Sequence, residues 1–336
     1  MKVLVLLDGN NGVAFHRLYT PFARLQMENK LEVDVCLDPN DYGNLDYTLY
    51  DAVICNRWMG KLQYNLFPIL KEHNIPLILD VDDYWVLPKH NPAYKFYRAY
   101  LKNACKDAIA FASAVMVTTP QLAKKVSEIN PNVYLVPNAL DLNQQQWNET
   151  TEHPLTIGWV GGISHVEDIK LLRGQIEPIT KKHNARFLMC GYHEGNKMWM
   201  DMEQAITGKR RHQRPEWFET RTGTSADKYG AFYSEIDVVL APLTGEHFNR
   251  YKSELKIIEA SAYSLPIVCS AVEPYTNHLN NFGALFAKDN DWSCIEQAIA
   301  ERDERGQKNG EYCNKHHNLQ TINQTRLEVI KSVIKF

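Results

Sequence analysis

What most restricts the fold of this chain is a rhythm of short apolar runs. Each is closed by a polar residue, a proline or a glycine and followed by a stretch with helical periodicity. Strands that alternate with helices pair in parallel, because the helix in each crossover carries the chain back to start the next strand in the same direction. A parallel strand is covered on both faces and so reads as a continuous apolar run. The opening Lys2-Val-Leu-Val-Leu-Leu-Asp8 has this form, and Leu31–Leu37, Asp51–Asn56, Pro76–Asp83, Ala114–Thr119 and Val133–Pro137 repeat it. The polar run Asn143–Pro154, with three consecutive glutamines, interrupts the rhythm. It restarts at Leu155–Val160 and continues through Ala185–Gly191, Trp217–Gly223, Asp237–Leu243, Pro266–Ser270 and Ala284–Phe286.

The expectation is an α/β protein with two doubly wound, Rossmann-like domains facing across a cleft, over residues 1–145 and 154–316. At 336 residues there is enough chain for two cores. The periodicity predicts helices over about 15–27, from about 165, and over about 226–235, 252–263 and 291–303. Ile322, Leu327, Ile330, Val333 and Ile334 fall at helical spacing. Residues 317–336 are therefore expected to close the chain as an amphipathic helix that packs back towards the first domain.

Charge narrows the partners. The net charge is −3, with −2 over residues 1–150 and −1 over 151–336, so bulk attraction to nucleic acid is not indicated. One basic cluster, Lys209-Arg-Arg-His-Gln-Arg214, stands apart. It reads as a solvated loop or as a patch for an anionic acceptor. The seven cysteines contain no C-x-x-C pair, which points away from a disulfide framework or a zinc site. No window approaches the ~20 apolar residues that cross a bilayer, and the N-terminus reads as a strand rather than a signal peptide. The expected location is cytoplasmic, with peripheral attachment to a membrane as the alternative.

In doubly wound sheets, ligands collect at the carboxyl ends of the strands. The polar residues there are Asp8, Asn56-Arg57, Asp80-Val-Asp-Asp83, Thr118-Thr119 and Asn138. Gly9-Asn-Asn-Gly12 after the first strand offers a cradle for a phosphate or sugar, although it is not G-x-G-x-x-G. In the stretch Asp237–Tyr275, Lys252 and Ser253 are expected where a helix begins, and Glu259 about two turns in. A helix start offers unpaired N–H groups and the positive end of a dipole, which suits a phosphate. An ordinary βαβ unit with a solvated lysine would read the same way.

Several segments together resemble a known family. Val136-Pro-Asn-Ala-Leu-Asp141 resembles the P-N-G-x-D segment that ends the first domain of retaining glycosyltransferases of the two-Rossmann (GT-B) fold, family 4 or group 1. Ile157-Gly-Trp-Val-Gly-Gly162 with His165 resembles the first strand and glycine loop of their second domain. Glu259-Ala-Ser-Ala262 and Pro266-Ile-Val268 match the second half of their donor signature. The chain departs from that signature at Tyr251, where the family keeps a Glu, and at Lys252-Ser253-Glu254, where it keeps a glycine-rich turn. The departure bears on sugar contacts more than on nucleotide contacts.

The resemblance implies a glycosyltransferase that moves a sugar from a UDP- or GDP-sugar to an acceptor hydroxyl with retention of configuration. It implies no cofactor and no obligatory metal. The expected acceptor is a glycan or lipid-linked saccharide, with a nucleic acid as alternative. Donor contacts would come from Asn10, Asn11, Gly12, Arg17, Gly161, Gly162, His165, Lys252, Ser253, Lys256 and Glu259, the last on the ribose hydroxyls. Lys252 would also be catalytic, and Asp82 or Asp83 would orient or deprotonate the acceptor. Asp80-Val-Asp82 also matches the metal-binding D-x-D of single-domain transferases, but lies away from the donor signature. A nucleotide-sugar 2-epimerase and a non-catalytic nucleotide-sugar-binding module are the competing functions on the same architecture.

Overall fold

The computed structural model describes residues 1–9, 11–57, 62–210, 213–278 and 283–334. The chain divides into two units. Unit 1 comprises Met1–Asp141, Tyr251–Ser253 and Asn318–Phe336, and unit 2 comprises Leu142–Arg250 and Glu254–His317.

Unit 1 holds β1 (Lys2–Leu6), β2 (Glu32–Cys36), β3 (Ala52–Asn56), β4 (Leu77–Val81), β5 (Ala114–Val117) and β6 (Val133–Leu135). They pair in parallel in the order β2-β1-β3-β4-β5-β6. Unit 2 holds β7 (Thr156–Val160), β8 (Arg186–Tyr192), β9 (Phe218–Thr222), β10 (Val238–Ala241), β11 (Ile267–Ser270) and β12 (Leu285–Ala287). These are also parallel, in the order β12-β11-β10-β7-β8-β9. Both orders are Rossmann-like. The direction of winding reverses between β1 and β3 in unit 1 and between β7 and β10 in unit 2, and it is outside those strand ends that ligands bind. Every residue of β3, β4 and β7 is buried, as strands covered on both faces require.

In unit 1 the helix α1 (Thr20–Met27) follows a π turn, Ala14–Tyr19. In unit 2, α2 (Leu255–Ala262) and α3 (Arg302–His316) pack together. The chain closes with α4 (Leu319–Val333), whose Leu319, Ile322, Val329 and Ile330 enter the same core as β1 and α1. Asn318 caps α4 by accepting from the Gln320 N–H at 2.9 Å, and Asn323 Nδ2 donates to the Pro21 carbonyl of α1 at 3.0 Å.

Three helices differ from expectation. The helix predicted from 252 begins at Leu255, with Glu254 at its N-cap and a 3₁₀ turn at Phe248–Tyr251 before it. Residues Tyr229–Glu235 form a 3₁₀ helix. Gly230 is pinned there, its N–H donating to Gln146 Oε1 at 2.9 Å while a side chain would strike Trp147. The helix predicted over 291–303 stops at Ala300, and α3 follows as an unpredicted element. α3 has almost no apolar face, because it packs through small residues. A Cβ on Gly306 would lie 1.9 Å from the Ser264 carbonyl oxygen, and Asn309 Nδ2 donates to the Leu265 carbonyl at 3.0 Å.

Candidate active site

In unit 2 the switch point lies beyond β7 and β10. β7 runs into Gly161-Gly162, and the two glycines serve different ends. A Cβ on Gly161 would sit 2.4 Å from the ring of fully buried Trp159, so packing alone demands glycine there. A Cβ on Gly162 meets nothing within 4 Å. The protein's own packing does not require that second glycine, whereas a ligand approaching the backbone would.

One turn on, His165 Nδ1 bonds to Asp168 Oδ2 at 2.8 Å. The other oxygen of Asp168 accepts from the Thr244 N–H at 2.7 Å, the Thr244 hydroxyl at 3.0 Å and Asn249 Nδ2 at 3.4 Å. Thr244 and Asn249 lie in the loop after β10, so Asp168 ties the two loops of the switch point together. Burial pushes its carboxyl up, but the His165 and Thr244 donors outweigh burial and hold it below the usual range. The bond to Asp168 fixes the His165 ring and presents Nε2 on the opposite side.

The remaining unit 2 candidates lie on α2. Lys256 donates from Nζ to the Val160 carbonyl, and the ammonium sits 5.4 Å from the centre of the Trp159 ring. Glu259 is 4% exposed. Its two oxygens accept from the hydroxyls of Tyr229 and Tyr233, the latter at 2.6 Å. Burial first, and the Glu259 charge second, push both phenols well above their ordinary range, so they stay donors. A carboxylate has about four acceptor positions, so two tyrosines leave room for two more donors.

In unit 1 the strand-end acids are distributed among cations. Asp80, fully buried, takes both Arg17 Nε (3.0 Å) and Nη2 (2.6 Å). Arg17 Nη1 is further shared by the carbonyls of Val136 and Pro137 and by Asn138 Oδ1, at 2.8, 3.1 and 3.2 Å. Asp82 pairs with Arg57 at 2.8 Å. Its carboxyl is raised to about 6 by burial, with the Arg57 charge opposing and Asp83 and Asp80 adding to the rise. Asp83 lies 3.8 Å from Lys252 Nζ. Asn138, its Oδ1 facing Arg17, donates from Nδ2 to the Ser253 hydroxyl at 2.6 Å, and Tyr251 stacks on Tyr84 with ring centres 4.6 Å apart. Asn11 caps the first helical turn, accepting from the Ala14 N–H at 2.9 Å and donating to Asp8 at 3.0 Å. Gly12, like Gly162, has no atom within 4 Å of a would-be Cβ.

The expected residues thus fall into two groups. Asn11, Gly12, Arg17, Asp82, Asp83, Lys252 and Ser253 gather at the strand ends of unit 1, and Gly161, Gly162, His165, Lys256 and Glu259 line the switch point and α2 of unit 2. Arg17 is committed to Asp80 rather than offered at a surface. The basic cluster contributes less free charge than its sequence suggests, because Arg214 is held by Glu203 at 2.7 and 2.9 Å. Asn10, Arg211 and His212 lie outside the described residues. Sequence reasoning missed Asp168, Thr244, Asn249 and the Tyr229–Tyr233 pair. Asp168, three residues after His165, is the only one of these with a local signal, since i and i+3 share a helix face.

Residues 154–301, which take in most of unit 2, match the family model described as Glycosyl transferases group 1. No curated protein matches the chain at a comparable level. Among solved structures, a glycosyltransferase from Rickettsia africae ESF-5 superposes with a TM-score of 0.67 at 10% identity, covering 99% of this chain and 98% of that one. The sucrose-phosphate synthase of Thermosynechococcus elongatus gives 0.68 at 12% identity, covering 99% of each chain. A UDP-forming α,α-trehalose-phosphate synthase from Burkholderia vietnamiensis gives 0.63 at 10%, covering 99% of this chain and 98% of that one. At such identities the likeness establishes the fold alone, two Rossmann-like domains in one chain. The family match is confined to the second unit: residues 154–301 are similar to the group 1 glycosyl transferase domain.

Proposed function

We propose that the chain transfers a sugar, with retention of anomeric configuration, from a nucleotide-diphosphate sugar to a hydroxyl of a glycan or lipid-linked saccharide in the cytoplasm. The observation that carries this reading is the switch point of unit 2. There an unfilled glycine, Gly162, stands beside a histidine whose ring is fixed by Asp168. Donor binding is assigned to the Gly161-Gly162 backbone, His165 and Lys256, with Lys252 and Ser253 on the diphosphate and Glu259 on the ribose through its unused acceptor positions. UDP is the first donor nucleotide to test, since a UDP-forming synthase shares the fold.

In the reaction, the acceptor oxygen bonds to the anomeric carbon on the face from which the diphosphate departs. The bond from that carbon to the diphosphate breaks, and its electron pair leaves on the phosphate oxygen. The acceptor proton passes to that oxygen or to Asp82, whose carboxyl is raised to about 6 and so is poised near neutrality. Fixed donors and cations aimed at the departing charge supply the stabilisation, and no divalent ion is required.

A thermal-shift screen against nucleoside diphosphates and their sugars tests the donor claim without any acceptor, because a ligand that binds the native state raises Tm by mass action. A stabilising diphosphate whose effect disappears in His165→Ala and Lys252→Ala, both still folded, is the expected outcome. No stabilisation by any nucleotide would defeat the proposal. Transfer that persists in excess EDTA is expected, and its abolition would overturn the metal-independent part.

A further inference from the structure

Between Asp83 and Asp107 the chain carries Lys89, Lys95, Arg98, Lys102 and Lys106 and not one carboxylate, in a protein whose net charge is −3. The segment enters a continuous helical run, Tyr94–Phe96, Tyr97–Leu101 and Lys102–Phe111, with a π turn in its middle and one acid, Asp107, which accepts from the Tyr64 hydroxyl at 2.6 Å. Lys95, Arg98, Lys102 and Lys106 recur at helical spacing and form one stripe. Among the described residues none of the four is paired with a carboxylate. Beside the stripe, Phe96 is 55% exposed and Tyr100 62%. Their rings touch at 5.4 Å between centres, tilted by 44°. Leu101, Ala104, Cys105, Ala108 and Ile109 form the opposite, buried face.

We propose that this helical run is a docking surface for an anionic lipid bilayer. A helix lying in the headgroup region needs cations for the phosphates and large apolar side chains for the acyl boundary, on the face it shows to solvent. The lysine stems let the ammonium groups reach the headgroups while the aromatic pair sinks between them. A single nucleic-acid strand is the rival occupant, but base stacking needs open ring faces set along a track. Here the two rings lean on each other instead. The proposal stands independently of the transferase reading and goes beyond it.

Co-sedimentation of the full chain with vesicles tests it. Vesicles of phosphatidylcholine mixed with phosphatidylglycerol should carry the protein down, and phosphatidylcholine alone should not. Each cation near an anionic surface contributes roughly a fivefold factor, so the triple variant Lys95→Gln, Arg98→Gln, Lys102→Gln should partition on the order of 100-fold less. Phe96→Ser with Tyr100→Ser should weaken binding at unchanged charge, which counterion exchange alone would not do. All five side chains are at the surface or partly so, and unchanged melting will show that the variants fold. Absence of vesicle binding, or binding indifferent to the triple variant, would overturn the proposal. So would tighter capture by a single-stranded oligonucleotide that the triple variant abolishes. Retained nucleotide thermal shifts in the triple variant would separate its failure from failure of the donor site.

Discussion

The strand ends of the two units solve the same problem, holding buried carboxylates, with different partners. In unit 1, Asp80 and Asp82 face guanidinium groups, those of Arg17 and Arg57. In unit 2, Asp168 faces an imidazole, a hydroxyl, an amide and a backbone N–H, and Glu259 faces two phenols. Removing one member of a buried ion pair leaves an isolated charge in low dielectric, whereas removing one neutral donor leaves a carboxylate still partly satisfied. Unit 1 should therefore be brittle towards single substitutions. Unit 2 should tolerate them structurally and show its losses in activity.

The largest effect expected is for Asp80→Asn. It leaves the Arg17 charge buried at 3% exposure with carbonyl and amide oxygens as its hydrogen-bond partners. A loss of about 3–5 kcal/mol is expected, read as a lower urea midpoint with unchanged slope. A loss under about 1 kcal/mol would mean that Val136, Pro137 and Asn138 satisfy Arg17 unaided, and the contrast between the units would collapse.

Asp168→Asn comes next and should act on function. Its amide nitrogen cannot accept from His165, so the ring loses its fixed orientation. Activity should fall on the order of 100-fold, the scale of losing one fixed donor at a developing charge, while melting shifts little. An Asp168→Asn protein that unfolds as readily as Asp80→Asn would make Asp168 a structural strut.

Titration separates the units further. Asp82, raised to about 6 from an ordinary value of 3.8, keeps its proton longer in the native state than in the unfolded chain. Between those values the native state binds more protons, so this group's contribution to stability falls as pH rises through the window and is lost above about 6. If ionised Asp82 serves the acceptor, kcat/KM should drop about tenfold for each unit below that value. Asp82→Asn should remove this limb along with most of the rate. A limb unmoved in Asp82→Asn assigns it to another group.

The sequence made the sheets legible almost completely, because a strand buried on both faces is a contiguous apolar run whatever its tertiary partners. It made the partners of the polar residues almost illegible. Glu259 stood out by its motif, yet Tyr229 and Tyr233, 30 and 26 positions upstream, carry no periodic signal that points to it. Arg17 reads in the sequence as a donor-binding cation on the first helix, and only the fold reveals Asp80, 63 residues away, as its counterion. α3 escaped for the opposite reason. Its contacts run through Gly306, Asn309 and Gly310, residues that disfavour a helix by propensity and show no apolar face.

The smallest predicted effect gives the comparison its finest test. Tyr233→Phe removes one hydroxyl from Glu259 and nothing else, since the ring keeps its packing and Tyr229 keeps its own bond. A hydrogen bond to a charged group contributes about 1.5–3 kcal/mol when no substitute exists, and the surviving partner should hold the cost near the lower end. The freed acceptor position should meanwhile admit a ribose hydroxyl more readily, so nucleotide affinity should hold or rise as stability falls. That opposition would mark Tyr229 and Tyr233 as stand-ins for a ligand's hydroxyls. If stability and affinity fall together, the tyrosines instead orient Glu259 for the ligand. If the stability loss reaches that of Asp80→Asn, neutral partners are as brittle as ion pairs here, and the distinction between the units fails.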